Sequence, residues 1–488
     1  MLKNGNNLKT TYIAVLLAAA ALYIATCAPG TLWQDSGMFQ YRILHNDIRG
    51  NLGMALSHPL YHIIGIAVKH IPLGEFAYRI NLISAVAAAF TIANLFLLLR
   101  LWLNKSLPAA IAAATLALSH TFWRHAVIAE TYTLYTALLM TELLMLLQYI
   151  KTKRMVFLYL LAFFNGLAIA NHMFAAIAFV CYLVFVIFLL ARKRIRFKHV
   201  GIIVLLWFIG AAPYGYLILK NIIQTGSFTA TINSALFGEN WQANVLNVSL
   251  STRLIKENLL LIAYNFPTPN IVFFFAGLYG LKKMSPTRGF ANILLALLIL
   301  FFVFAFRYTV PDRYAFFIPF YCLTSVLIGV GFNLLATGPN RKILCWSVFI
   351  LALLPIPTYI IAPAIAQKTQ FNLSTRANIP YRNDYVWFLQ PWKAGYNGAE
   401  KFADKVFEKL EPDAVVYADN TMVYPLLYMQ EVKKKRADIR IISEYAGSEG
   451  LPLLTEKSIE QWLSEGDVYA VSPSAGHKRH GIVWKIDN

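Results

Sequence analysis

The feature that most constrains this chain is a series of long apolar segments separated by short polar loops. A helix that crosses a bilayer needs about 20 mostly apolar residues. Eleven segments approach this length: 11–28, 77–100, 107–120, 131–150, 155–170, 173–191, 199–219, 258–281, 290–306, 314–337 and 343–364, of which the third and fifth are short. Only 14% of the residues are charged, against about a quarter in soluble proteins. The sequence therefore predicts an all-α polytopic membrane protein with about eleven transmembrane helices.

The distribution of basic residues predicts how the chain is oriented. If the amino terminus is cytoplasmic, the inner segments contain seventeen Lys and Arg residues and no Asp or Glu. This is the positive-inside pattern of membrane proteins, and it accounts for the net charge of +19 without nucleic acid as a partner. An odd number of spans then places everything after residue 364 outside the cell.

The predicted outer loops are rich in ionisable and aromatic residues. Their charged and histidine residues include Asp35, Asp47, His58, Arg124, His125, Glu130, His172, Asp312 and Arg313. Such side chains are costly at a membrane surface unless they are solvated or paired, so a cluster on one side indicates a functional site. Within the first outer loop, residues 59–71 are apolar but too short for a span, which favours a re-entrant or interfacial helix.

From about residue 365 the composition becomes that of a soluble domain. Helical patterns occur at 398–410, 421–436 and 455–464, and β-rich runs occur at 414–418, 439–443, 467–472 and 482–486. This alternation predicts a small α/β domain. The sequence thus divides into a transmembrane domain, 1–364, and an extracytoplasmic α/β domain, 365–488.

Four stretches on the predicted outer side form an ordered set. They are Asp35-Ser36-Gly37, Ser57-His58-Pro59-Leu60, Arg79-Ile80-Asn81-Leu82-Ile83-Ser84, and Phe122-Trp123 followed by Ala129-Glu130-Thr131-Tyr132. This set resembles membrane glycosyltransferases of the GT-C fold, in the group related to the protein O-mannosyltransferases and their bacterial members. Weaker similarity continues at Asp312-Arg313-Tyr314 and at the run Asp413 to Asn420.

The resemblance implies an inverting enzyme that moves a sugar, mannose by analogy, from a polyprenyl-phosphate donor to a hydroxyl on an external acceptor. The acceptor would be a protein or a glycan, the other partner is membrane lipid, and the location implied is the bacterial plasma membrane. No cofactor is predicted, and no metal site is supported. The acceptor hydroxyl needs a base, the departing phosphate needs positive or hydrogen-bonding groups, and the lipid needs an apolar groove.

Asp35 matches the first-loop aspartate of the family and is the candidate general base. The alternative is an ordinary interfacial carboxylate. The sequence departs from the family at Met38, where Glu is usual, and at His58-Pro59-Leu60-Tyr61, where His-Pro-Pro-Gly is usual. Glu130 could supply the missing carboxylate, or it could pair with Arg124 or cap the following helix.

The candidate substrate-binding residues are basic or amide side chains on the same predicted side. For the phosphate, the order of preference is Arg313, then Arg124 and His58, because arginine presents fixed, permanently charged donors. Arg313 could instead pair with Asp312 at the interface. His172 could hydrogen-bond the sugar or phosphate or be structural. Arg79 and Asn81 match the family run, although Arg79 could serve only as an interfacial anchor.

Two other functions stay open at this point. A transporter or flippase of lipid-linked sugar would also need apolar grooves and intramembrane polar residues, but those residues would lie near the bilayer midplane. An inactive relative that acts as a binding scaffold is suggested by Met38.

Overall fold

The computed structural model describes residues 2–72, 74–238, 241–310, 312–337, 341–373, 378–444, 455–472 and 478–486. All eleven apolar segments are helical over most of their length. Within these ranges, eight helices are long and apolar enough to cross a membrane, or nine if one bent pair counts as a single span. The two remaining segments, which the sequence marks as short, form helices of 12 and 16 residues. The chain is a multi-pass helical membrane protein.

The bounds of the α-helices are as follows. In chain order they are α1 (Leu2–Ala25), α2 (Gln34–Leu44), α3 (Pro59–Lys69), α4 (Phe76–Leu103), α5 (Ser106–Ala117), α6 (His120–Ala126), α7 (Tyr132–Thr152), α8 (Val156–Asn171), α9 (Ala176–Ala191), α10 (Phe197–Thr225), α11 (Phe228–Phe237), α12 (Gln242–Val245), α13 (Thr252–Asn265), α14 (Val272–Leu281), α15 (Arg288–Arg307), α16 (Ile318–Leu335), α17 (Arg341–Ala352), α18 (Pro355–Lys368), α19 (Asp384–Leu389), α20 (Gly398–Phe407), α21 (Val423–Glu431) and α22 (Glu456–Glu465). Short 3₁₀ helices cover Met54–Leu56, Met173–Ala175, Pro269–Ile271, Ser285–Thr287 and Arg313–Phe317.

The candidate span over 258–281 is broken in the structure. The segment forms α13 and a second helical stretch from Pro269 to Leu281, and the two are bent by 108°. The break contains Pro267 and Pro269, and a residue that precedes proline is pushed out of the helical conformation. Phe266 and Thr268 both show this effect, with ψ angles of 67° and 139°.

Among the described helices long enough to cross a membrane, α4 and α16 are the most buried, and they form the centre of the bundle. Both are apolar on all sides, as expected for helices surrounded by other helices. Nearer the periphery, α8 and α10 approach closely at Gly210, where an added Cβ would lie 2.2 Å from the Phe163 carbonyl oxygen. The helix α3, predicted as a short re-entrant or interfacial element, has 11 residues and packs against α2 and α4.

The end domain contains the predicted α/β elements. Its strands are β1 (Val415–Tyr417), β2 (Arg440–Ile442), β3 (Val468–Ala470), β4 (Lys478–His480) and β5 (Val483–Ile486). The sheet order is β2-β1-β3-β5-β4; β1 pairs in parallel with β2 and β3, and the pairs β3–β5 and β5–β4 are antiparallel. The sequence reading missed the short edge strand β4 and the helix α19.

The end domain packs directly against the loop that carries the Asp-Ser-Gly run. The indole N–H of Trp33 donates to the Tyr396 hydroxyl at 2.5 Å, and the Trp33 ring lies 5.4 Å from Phe402. A Cβ at Gly37 would lie 2.5 Å from the Leu32 carbonyl oxygen and 2.7 Å from Tyr424 Cβ. Gly37 therefore lets α21 approach α2, which fixes the position of Asp35.

Candidate active site

A cavity of about 410 Å³ opens where α2, the loop before α3, the loop before α7 and the segment before α16 meet. We call it the acidic cavity because three carboxylates line it. Its ionisable and polar lining residues are Gln34, Asp35, His58, Glu130, Thr131, Tyr132, His172, Tyr308, Asp312 and Asn420. The rest of the lining is mostly apolar, as in most small-molecule sites. Four of the predicted site residues therefore meet here: Asp35, Glu130, His58 and His172.

Asp35 lies in the first turn of α2, half-buried in the cavity wall. Burial, together with the negative charge of Asp312, raises the pKa of Asp35 to about 7. Burial disfavours the ionised form of a carboxyl group, and a second carboxylate adds repulsion. A general base works best when its pKa lies near the working pH, so this environment suits proton abstraction.

Glu130 faces the same cavity from the loop before α7. Ser84 holds this loop, since its hydroxyl donates to the Glu130 carbonyl at 2.9 Å and accepts from the Glu130 N–H at 3.0 Å. Burial, then the charges of Asp35 and Asp312, keep the pKa of Glu130 well above its usual range, while Arg124 acts in the opposite direction. In the part of the chain described, no ion pair within 4.0 Å joins Glu130 to Arg124.

His58 and His172 form a pair with ring centroids 4.8 Å apart. His58 precedes Pro59 and has a left-handed backbone with φ of 47°, which is uncommon for a residue with a side chain. Its Nδ1–H donates to the Asn171 carbonyl at 2.9 Å, whereas His172 Nδ1 accepts from the Phe174 N–H at 3.1 Å. Burial lowers the pKa of both, that of His172 to about 4. Both rings are therefore neutral at pH 7, and His172 has its Nε2–H available as a donor.

A second cavity, of about 330 Å³, contains the predicted arginines. We call it the basic cavity, because Arg124 and Arg313 line it; the other lining residues include His120, Thr121, Tyr314, Glu257 and apolar residues of α13, α18 and α19. The two cavities adjoin, because Asp312 lines the first while Arg313 and Tyr314 line the second. The structure thus places Arg124 and Arg313 in a different cavity from Asp35, whereas the sequence analysis had assigned all three residues to one site.

Arg124 is 4% exposed and belongs to α6. Its guanidinium carbon lies 4.8 Å from the centroid of the Phe388 ring and 5.3 Å from that of Trp387, and its Nε has no hydrogen-bond partner in the part of the chain that the structure describes. Within the described residues it has no carboxylate partner. Arg313 differs, because it forms an ion pair with Glu257 at 2.5 Å rather than with Asp312.

Lys393 is a basic residue that sequence reasoning missed. It is 3% exposed, donates to the Gln390 carbonyl, and has its Nζ 5.0 Å from the centroid of the Trp387 ring. Burial, and then the charge of Arg124, hold the pKa of Lys393 well below its usual range. No motif marks it, and only the docking of the segment after α19 onto α6 brings it near Arg124.

Two predicted residues lie outside both cavities. Asn81 is buried and donates to the carbonyls of Ala28 and Gly30 at 2.9 and 3.1 Å, so it shapes the loop that leads to Asp35. Arg79 donates to the Ile71 carbonyl at the end of the α3 segment, which fits the anchoring alternative. Neither is placed to touch a ligand in the acidic or basic cavity.

Comparisons with known proteins agree with this architecture. Residues 55–196 match the family model of the protein O-mannosyl-transferase TMEM260 N-terminal domain. No curated protein sequence matches the chain. The crystal structure of ArnT from Cupriavidus metallidurans bound to undecaprenyl phosphate has a TM-score of 0.63 and 14% sequence identity, and the match covers 95% of this chain and 93% of that one.

The apo structure of the same ArnT matches with a TM-score of 0.62, 14% identity and coverage of 96% and 94%. At this identity the likeness concerns the fold, whereas the family model concerns the sequence of the region that contributes His58, Arg124, Glu130 and His172. Together they confirm the resemblance seen in the sequence. The chain has the GT-C fold, and its residues 55–196 are similar to the protein O-mannosyl-transferase family.

Proposed function

We propose that this protein is an inverting glycosyltransferase that moves a sugar, mannose by the family resemblance, from a polyprenyl-phosphate donor to a hydroxyl acceptor. The reaction would take place at the outer face of the membrane, where the positive-inside pattern puts the loops of both cavities. The observation that carries the proposal is the position of Asp35, a carboxyl group with a raised pKa in a cavity that adjoins a separate pair of arginines.

Asp35 acts as the general base. It accepts the proton of the acceptor hydroxyl while the acceptor oxygen bonds to the anomeric carbon of the sugar. The bond from that carbon to the phosphate oxygen breaks, and the electron pair leaves with the polyprenyl phosphate. A well-placed general base contributes about 10²- to 10⁴-fold to the rate.

Arg124 stabilises the departing phosphate from the basic cavity. A buried guanidinium without a carboxylate partner is costly, and an anionic ligand would remove that cost by pairing with it. The acidic cavity suits the phosphate less well, because the lining residues identified there include three carboxyl groups and no Lys or Arg.

The apolar walls of the basic cavity suit the start of the lipid chain. Leu260, Leu261 and Ile365 line this cavity beside the arginines. They belong to α13 and α18, helices that border the bundle and expose apolar side chains. The first isoprene units would lie against these residues while the phosphate reaches Arg124.

Met38 does not argue strongly for an inactive relative. It is 5% exposed and forms part of the acidic cavity wall. Glu130 and Asp312 supply two carboxylates beside Asp35 although residue 38 carries none. Apart from Glu257 in α13, the charged groups that line both cavities lie in loops or near helix ends, which favours transfer over a midplane transport site.

The test is sugar transfer from a radiolabelled polyprenyl-phosphate mannose by the reconstituted protein, with Asp35→Asn as the variant. We expect kcat to fall about 10²- to 10⁴-fold while binding of the donor persists. Asp404→Asn serves as a matched control, since this carboxylate lies on α20 and pairs with Lys435. Unchanged transfer by Asp35→Asn would remove Asp35 from the chemical step. Exchange of the lipid between leaflets without sugar transfer would show that the protein is a flippase and not a transferase.

A further inference from the structure

The end domain contributes one side chain to the acidic cavity. Among the described lining residues, Asn420 alone comes from beyond residue 365. It follows β1 closely, in the loop between this strand and α21. Loops at the carboxyl ends of parallel strands are common ligand-binding positions in α/β sheets.

One backbone hydrogen bond joins this loop to the start of α2, and a second hydrogen bond lies within the loop. The Gln34 N–H donates to the Thr421 carbonyl at 3.4 Å, and the Thr421 N–H donates to Asp419 Oδ1 at 2.8 Å. Gln34 and Asp35 are adjacent and both line the cavity. Asn420 is therefore fixed on the same wall as the proposed base.

The carboxamide oxygen of Asn420 is buried and has no hydrogen-bond partner among the described residues. A buried carbonyl oxygen without a donor is unfavourable, so the site is suited to a ligand that brings one. A phosphate group at neutral pH presents acceptor oxygens, which do not satisfy another acceptor. A sugar hydroxyl does, because its O–H donates.

We propose that Asn420 is a substrate-binding residue whose carboxamide oxygen accepts a hydrogen bond from a sugar hydroxyl in the acidic cavity. The end domain thereby completes the site rather than only standing beside it. This inference rests on the proposed transferase function. The hydroxyl belongs either to the donor sugar or to a glycan acceptor, and the chemistry of the contact is the same for both.

The equilibrium affinities for two lipids show whether the hydroxyl belongs to the donor sugar or to the acceptor. The probes are polyprenyl-phosphate mannose and bare polyprenyl phosphate, and the variants are Asn420→Ala, Asn420→Ser and the control Asn397→Ala, an exposed position at the start of α20. If the donor sugar makes the contact, Asn420→Ala binds the sugar-bearing lipid about tenfold more weakly, the loss expected for one hydrogen bond. The affinity for the bare lipid stays unchanged.

If the acceptor makes the contact, both affinities stay unchanged and the KM for a glycan acceptor rises about tenfold. Equal weakening of both lipids, or no change in either affinity or in the acceptor KM, would overturn the proposal. Asn420→Ser provides the same comparison if Asn420→Ala does not fold. An unaltered protein that binds the sugar-bearing lipid without transferring sugar would overturn the proposed function alone, and one that binds neither lipid would overturn both.

Discussion

The acidic and basic cavities lie on either side of one short segment, yet they gather opposite charges. Asp312 lines the first cavity, and its neighbours Arg313 and Tyr314 line the second. The acidic cavity brings carboxylates close enough to raise one another's pKa values, whereas the basic cavity holds Arg124 without a carboxylate partner. The difference suggests a division of tasks, with proton abstraction on one side and phosphate stabilisation on the other.

The two arginines of the basic cavity should differ in how much transfer depends on them, and we expect the larger loss of activity for Arg124→Gln. Loss of a buried charged partner costs about 2–5 kcal/mol, so kcat/KM for transfer should fall by a factor of about 30 or more. Arg313→Gln should cost less, because Arg313 is already neutralised by Glu257, which also pairs with Arg253. Steady-state kinetics on both variants checks this order. A greater loss for Arg313→Gln would show that the ion pair opens and that Arg313 is the main phosphate ligand.

A smaller effect is expected for Asp312→Asn, namely a shift in the pH dependence of sugar transfer. The negative charge of Asp312 raises the pKa of Asp35, so its removal should lower that pKa. Because the base must be ionised, transfer rises as pH increases through the pKa of Asp35. The rising limb should therefore move to lower pH in Asp312→Asn, by up to about one unit. A pH–rate profile measures the shift. A limb that stays in place or moves upward would contradict the electrostatic coupling of the two carboxyl groups.

The smallest effect is expected for Lys393→Met, and it concerns stability rather than transfer. The pKa of Lys393 is lower in the folded protein than its ordinary value of 10.5, so the unfolded chain binds more protons between these two values. Stability should therefore rise with pH across this window. Lys393→Met should flatten this dependence and unfold at a higher temperature near neutral pH, since methionine fills the buried position beside Arg124 without an amine whose charged form is disfavoured there. Thermal unfolding in detergent at several pH values tests both expectations. An unchanged pH dependence would mean that Lys393 titrates normally.

The sequence was most informative about the fold where hydrophobic length and periodicity decide the structure. The eleven apolar segments and most of the end domain's strands follow directly from these patterns. The bend within 258–281 was missed because the apolar run was read by length alone, although Pro267 and Pro269 mark the break. The short edge strand β4 was missed because three residues carry too little pattern.

The candidate site was only partly accessible from the sequence. Asp35, Glu130, His58 and His172 line one cavity, and the sequence had placed all four on the same predicted side of the membrane. The separation of Arg124 and Arg313 from them was not foreseen, since it depends on the directions of neighbouring side chains. Lys393 and Asn420 enter only through the docking of the end domain on α2 and α6, which is a tertiary contact without a local signature.

The most direct test of the divided site is the affinity of bare polyprenyl phosphate for the unaltered protein, Asp35→Asn and Arg124→Gln. This measurement requires no transfer, so it isolates the phosphate from the chemistry. The account predicts that Asp35→Asn binds the lipid as tightly as the unaltered protein or more tightly, while Arg124→Gln binds it at least about 30-fold more weakly. Weak binding by Asp35→Asn together with normal binding by Arg124→Gln would place the phosphate in the acidic cavity and contradict the account.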